Sequence, residues 1–396
     1  MRKKLGIILI IVVIFDIIAL GIVAVDKFVN RKSPVAQVTD TESGEGETGL
    51  ASGELISTVS FVAVGDNLIH NTIYEQAKAR TTDGSYDFSY AYEKIAPYIA
   101  EPDIAVLNQE TLISTEHGVS SYPMFNSPPE LGQQMIDLGF DVFNICTNHS
   151  LDKGESGLIS AINYWKEKGV ITTGAYLNEE DFKIPVNTVN GVKFAYLGFT
   201  ENTNGLSLPA DSDVILVMES DEDLIKSKVE EAKKIADVVI VNAHWGEEYT
   251  HTPTASEKSM AQKLCDWGVD IVLGTHPHVI QPVEFITSAD GSHQMLCAYS
   301  LGNFISAQNK GPTMLGGMLS FNVVKNNSTG VINIENVRFR GTVTHYGSGM
   351  SNVRVYCLDD YTEELAASHG RNVNMSFTLD YLRNLLEEVI DKQFLE

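Results

Sequence analysis

"VDIVLGTHPHVIQ" spans Val269–Gln281 and runs an apolar segment directly into two histidines, His276 and His278, separated by one proline. A run of Val, Ile and Leu that stops at a glycine reads as a buried strand. Alternate residues of an extended segment point the same way, so the two imidazoles are expected to face one ligand. The same pattern recurs along the chain. Asp66 follows "FVAVG", Glu110 follows "AVLNQ", Asn148 and His149 follow "FNICT", and His244 follows "VIVNA".

Between these strand-like runs lie helical periods. "DEDLIKSKVEEAKKIA" places Leu224, Ile225, Val229, Ala232 and Ile235 on one stripe and charges on the other face. "PPELGQQMIDLG" and "ASEKSMAQKLCDWG" each end at a glycine suited to a helix C-terminus. Apolar strands alternating with amphipathic helices specify an α/β fold whose sheet is covered. From about Gln294 to Leu358 the pattern becomes strand-rich, which predicts a second, more antiparallel sheet packed on the first. "SFTLDYLRNLLEEVIDKQ" then gives a closing helix through Leu379, Leu382, Leu386 and Val389.

The chain has 396 residues and a formal net charge of -24. That length supports one large domain or two ordinary ones. The charge excludes a general nucleic-acid binder, which needs clustered Lys and Arg against phosphates. The N-terminus departs from the acidic balance: "MRKK" precedes the apolar run Leu5–Val25. At ~1.5 Å per residue a run of that length matches a hydrocarbon core of ~30 Å. Asp16 sits near its middle and costs roughly 2.5 to 3.5 kcal/mol there, which the surrounding Ile, Val and Leu outweigh. Residues 1–29 are therefore expected to be a cytoplasmic stub and single-pass anchor, with the rest of the chain outside the cell. A cleaved signal peptide competes with that assignment. Residues 30–56, with "TDTESGEGETGLASGE", form a polar linker, and the ordered domain is expected over 57–396. Cys146, Cys265, Cys297 and Cys357 show no short spacing; a disulfide is permitted outside the membrane, and buried free thiols are the alternative.

Strand ends in an α/β sheet open onto a crevice, where side chains are rigidly held yet uncovered. Singly, each polar residue there has an ordinary explanation: Asp66 a turn, Glu110 the start of a loop, Asn148 a helix cap, His244 a satisfied core histidine. Together they form a set of carboxylate, amide and imidazole groups that suits Mn, Fe or Zn better than Ca or Mg. The ligands suffice for two ions, which at about 3.5 to 4 Å apart activate water and hold an oxyanion. Glu110 is the expected bridge. His117, His251, His293, His345 and His369 fall in loops or edges and read as surface residues.

"VAVGDNLIH", "LNQET", "TNHSLDKG", "NAHWGEEY", "GTHPHVIQPVE" and "YSLGNF" resemble the ordered motifs of the CapA-like family of poly-gamma-glutamate capsule synthesis, which is similar to calcineurin-like metallophosphoesterases. The resemblance covers roughly Thr58 to Phe304. It implies a four-layer αββα sandwich with a metal centre at the strand ends, and an N-terminal anchor. It places Asp66 on the first metal, Glu110 between the two, Asn148 and His244 on the second, and His276 and His278 one on each. It makes His149 the general acid or transition-state donor, with Asp152 to orient it. Asn303 would line the site. The pattern departs where metallophosphoesterases have Asp-x-His: Leu68 stands at the second position, leaving one ligand missing unless Asn67 or His70 reaches the site.

Two functions compete. One, resting on the convergent ligands, is a metal-dependent hydrolase or transferase on the outer face of the membrane, acting on a phosphoester or on an amide of an anionic polymer. The other is a non-catalytic export or tethering component that holds poly-gamma-glutamate in the same cleft, alongside other capsule-synthesis membrane proteins. A sensor on a single-pass anchor is a third, resting on topology alone.

Overall fold

The computed structural model describes residues 55–395. The expected anchor at 1–29 and nearly all of the linker lie outside the described residues. Among the described residues no helix is long and apolar enough to cross a membrane.

Strands β1 (Ile56–Asn67), β2 (Ile104–Asn108), β3 (Val142–Asn144) and β4 (Ile171–Thr173) lie parallel in one sheet. The chain then builds a second sheet from β5 (Val186–Val189), β6 (Val192–Thr200), β7 (Val238–His244), β8 (Ile271–Thr275), β9 (Val283–Thr287) and β10 (Gln294–Ala298). Its spatial order is β9-β10-β8-β7-β6-β5, with the four inner strands parallel. Finally the chain returns to the first sheet as β11 (Asn303–Ile305), β12 (Leu315–Asn326), β13 (Ile332–His345) and β14 (Arg354–Cys357). The first sheet thus runs β14-β13-β12-β1-β2-β3-β4, with β11 parallel to the end of β1.

This corrects the expectation for the strand-rich segment. Its antiparallel strands form no separate sheet. β12 pairs along the free edge of β1, from Ile56 against Asn326 to Val64 against Met318, and extends the first sheet. The second sheet comes from Val186 to Ala298, so only the first strand of the segment, β10, enters it, and its inner strands are parallel.

Alternation along each strand sets the layers. In β6, Phe194 and Tyr196 enter the core shared by the sheets, where Phe61 of β1 meets Phe194 at 5.0 Å between ring centroids. The intervening Ala195, Leu197 and Phe199 face outward and join a second cluster. That cluster takes Ile225, Val229 and Ala232 from the helix Glu222–Ile235, and Met260 and Leu264 from the helix Ala255–Trp267. Ile235, placed on the stripe by period, is exposed at the helix end. Across the molecule, Phe143 of β3 packs on Trp165 of the helix Gly154–Lys168 at 4.4 Å. The result is a mixed α/β sandwich with helices outside both sheets. The four cysteines are buried and free.

Two close approaches draw the strand ends of the two sheets together. The Asp66 N–H donates to the Gly302 carbonyl at 2.8 Å. Gly274, in β8, lies so near the Tyr299 carbonyl that a Cβ would stand 1.9 Å from that oxygen. The turn from Tyr299 to Gly302 is thereby clamped between Asp66 and the start of "GTHPH". Gly274→Ala is expected to cost about 1–3 kcal/mol by overpacking, seen as a lower thermal midpoint, while Gly118→Ala, where nothing lies within 4 Å, leaves it unchanged.

Candidate metal centre

Parallel strands present their C-terminal ends at one edge, and here both sheets do so at the same place. Asp66 is in the last turn of β1, Glu110 lies two residues beyond β2, and Asn148 and His149 lie beyond β3. His244 ends β7, and His276 and His278 follow β8. Asp66, Glu110, Asn148, His149, His244, His276 and His278 are all buried.

Their donor atoms form two groups. Asp66, Glu110 and His278 offer atoms that lie within 4.8 Å of one another, and so do Glu110, His244 and His276. Glu110 belongs to both. Within the first group His278 Nδ1 is 3.0 Å from Asp66 Oδ2 and His278 Nε2 is 3.7 Å from Glu110 Oε1. Beside the second group, Asn148 Oδ1 stands 3.0 Å from His244 Nε2. That separation fits adjacent ligands of one ion, given bonds of about 2.0–2.2 Å. His244 Nδ1 is 3.0 Å from the Thr275 hydroxyl, a contact that fixes the ring orientation.

The two histidines of "THPH" do not reach the site from an extended segment. His276 has φ 101° and His278 φ 60°, and their rings are tilted by 51° to each other. Each contributes to a different group. Such backbone costs of order 1–3 kcal/mol and persists where the surroundings hold it.

Unsatisfied atoms mark the centre. Both oxygens of Glu110 and Nδ1 of His276 are buried without a hydrogen-bond partner. Burial raises the Glu110 carboxyl well above its usual range, with Asp66 adding to the rise and His278 opposing it. Burial lowers His244 well below the usual imidazole value, helped by His276 and His278, and lowers His276 to about 4. Neutral imidazole is the form that binds metal. His278 goes the other way: burial opposes its charge, yet Glu110 and Asp66 raise it to about 9. Orphaned carboxylate oxygens shared between two donor groups fit a divalent metal centre.

Outside the donor groups, His149 Nδ1 is 2.8 Å from Asp152 Oδ2, and the same oxygen accepts the Phe125 N–H at 2.6 Å. That leaves His149 Nε2 directed toward Glu110, 4.0 Å from Oε1. Phe125 packs edge-on against His149 at 4.7 Å and against His70 at 5.2 Å.

The structure does not bring Asn67 to the site. Its side chain donates to Gln109 Oε1 at 2.8 Å and accepts from the Tyr92 hydroxyl at 2.7 Å, in the core beneath Asp66. His70 stands near the centre but joins neither donor group. Its Nδ1 lies 3.2 Å from the Leu68 carbonyl, and burial lowers it to about 4. Asn303 is buried, with its amide nitrogen on Gln308 Oε1 at 2.9 Å and on the Thr313 carbonyl at 3.1 Å, and its oxygen unpartnered. His369, read as a surface residue, is buried and stacked on Phe377 at 4.1 Å.

Sequence reasoning passed over Asn108, whose amide donates to Asp66 Oδ1 at 2.8 Å and approaches His244 Nδ1 at 3.4 Å. It also passed over Asn204, which donates to the Asn148 carbonyl at 3.1 Å, and Tyr249, whose ring is 6.0 Å from His278. Asn108 ends a strand exactly as the named residues do, so that signal was present. Asn204 and Tyr249 lie in loops, where no periodicity marks them.

The model of a bacterial capsule synthesis protein family, PGA_cap, matches residues 60–308. The chain belongs to that family. It is 30% identical to the capsule biosynthesis protein CapA of Bacillus anthracis over 309 residues, covering 75% of this chain and 72% of that protein. It is 32% identical to the PGA biosynthesis protein CapA of Bacillus subtilis over 192 residues, 48% of this chain and 49% of that one. The match thus spans about half the length of the B. subtilis protein. A phosphatase structure from Mycoplasma pneumoniae overlaps 73% of this chain and 95% of its own, at 13% identity and a TM-score of 0.45.

In this PGA_cap chain the orphaned carboxylate predicts a reversal of sign. Without metal, Glu110→Gln removes an unsatisfied buried acid and is expected to be neutral or stabilising by about 1–3 kcal/mol. With Mn2+ present, the parent gains thermal stability by binding, about 2.7 kcal/mol at one hundred times the dissociation constant, and Glu110→Gln loses that gain. Thermal unfolding of both proteins with and without Mn2+ measures it.

Proposed function

We propose that this chain is a membrane-anchored, extracellular, metal-dependent hydrolase of anionic-polymer capsule biosynthesis, with two ions of Mn, Fe or Zn. The observation that carries this is the position of Glu110: it belongs to both donor groups, and neither of its buried oxygens has a hydrogen-bond partner. Asp66 and His278 would hold one ion, and His244, His276 and Asn148 the other. Two such ions supply an activated water and stabilise charge on a phosphoryl or carbonyl oxygen.

The protein's own part in the reaction centres on His149. Asp152 accepts the Nδ1–H of His149, which fixes the tautomer and leaves the Nε2 lone pair on the side of Glu110. That Nε2 takes a proton as a base, and once the ring is protonated its Nε2–H donates to the leaving group or to a developing oxyanion. Phe125 and the buried surroundings exclude water from the ring. The family's association with capsule synthesis makes poly-gamma-glutamate the favoured polymer, and the membrane and neighbouring capsule proteins its setting.

A second function, polymer holding without catalysis, is favoured by one observation. Leu68 is buried at the position where the metallophosphoesterase pattern Asp-x-His has its histidine, and His70 is outside both donor groups. The first ion then has one protein ligand fewer.

The two separate on His149. In the hydrolase, His149→Ala and Asp152→Asn lower kcat on a phosphodiester or polymer substrate by about 10²–10⁴ while metal content stays the same. Wild-type metal-loaded protein without turnover of either substrate, or a His149→Ala variant as active as the parent, leaves the holding function.

A further inference from the structure

The mouth of the centre carries two lysines whose charge has no carboxylate partner. Lys310 is exposed, and its Nζ lies 3.1 Å above the centroid of the Tyr249 ring, which in turn stands 6.0 Å from His278. Gln308 ties this corner to the site: it donates to the Tyr249 hydroxyl at 3.3 Å and accepts from Asn303 at 2.9 Å. Lys153 is next in the chain to Asp152. Its Nζ donates to the Met124 carbonyl at 3.0 Å, beside the Phe125 that packs on His149. Among the described residues neither lysine has a carboxylate within 4.0 Å, so each charge is open to an anionic ligand.

The chain's net charge is -24, so a polyanion approaching the surface at large is repelled. Glu248, which acts electrostatically on His278 and Tyr249, adds to that repulsion at the mouth itself. A small oxyanion seated at Glu110 needs only the centre. Two separate cations, one joined to His278 through Tyr249 and one to His149 through the Met124–Phe125 segment, match a chain whose negative charges repeat along its length.

We propose that Lys310 and Lys153 are specificity-determining residues that take successive carboxylates of a polycarboxylate chain as it crosses the metal centre. This rests on the functional reading above and names its substrate class and the groups that select it. Lys310, braced on Tyr249, grips on the His278 side; Lys153 grips on the His149 side. Neither touches the reacting atoms, so both act on binding rather than on the chemical step.

The test is titration of the full-length, detergent-solubilised, Mn2+-loaded protein with poly-gamma-glutamate of defined length, beside glutamate monomer and inorganic phosphate. Lys310→Gln and Lys153→Gln are expected to weaken polymer binding by roughly three- to tenfold each, and the double variant by more. Lys310→Arg and Lys153→Arg retain it, salt weakens it, and metal content is unchanged throughout. Glutamine variants that bind the polymer as tightly as the parent overturn the role of the lysines while leaving the metal centre and polymer function standing. A parent that holds metal but binds no polymer overturns both the lysine role and the polymer as substrate. Lysine dependence seen with phosphate and absent with polymer overturns the polycarboxylate assignment.

Discussion

A carboxylate whose two oxygens are buried and without a hydrogen-bond partner is costly for any fold to keep. Glu110 is such a group, and the architecture around it is arranged to hold it there. Two sheets contribute strand ends to one edge, the Asp66 amide is fixed on the Gly302 carbonyl, and β8 is pressed against Tyr299. His276 and His278 accept positive φ and place one ring in each of the two donor groups that share this carboxylate. A divalent cation is the simplest partner that satisfies both oxygens and both histidine-bearing groups together.

Much of this centre could be read from the sequence because it is written locally. An apolar run followed by Asp, Glu, Asn or His places that residue at a strand end, and parallel strands bring such ends together. The departures have physical causes. Asp66 and Asn67 are adjacent in one strand and so point to opposite faces; Asp66 enters the site and Asn67 enters the core against Tyr92. The antiparallel segment joined the first sheet because the edge of β1 was free, a long-range pairing that no local pattern encodes. The backbone of "THPH" was misjudged for a different reason: Pro277 fixes its own φ but not that of its neighbours, which tertiary contacts set. His369 was assigned to the surface by its polar neighbours, yet aromatic packing from Tyr346 and Phe377 buries it.

The acidic balance of the chain and the chemistry of the site pull in opposite directions. Metal ions at the proposed centre would let a protein of net charge -24 accept an anionic ligand. The unpaired lysines extend that local reversal of charge to the rim. His149 is held differently from the donor histidines, with one nitrogen engaged by Asp152 and the other directed at the centre, an arrangement suited to moving a proton and not to gripping an ion.

Diffraction from crystals of the Mn2+-loaded protein, measured at an energy where manganese scatters anomalously, tests the shared role of Glu110 most directly. The account predicts two anomalous peaks about 3.5–4 Å apart, one beside Asp66 and His278, the other beside His244, His276 and Asn148, with Glu110 between them. No peak at these residues, or a single ion that leaves one Glu110 oxygen unpartnered, would contradict it.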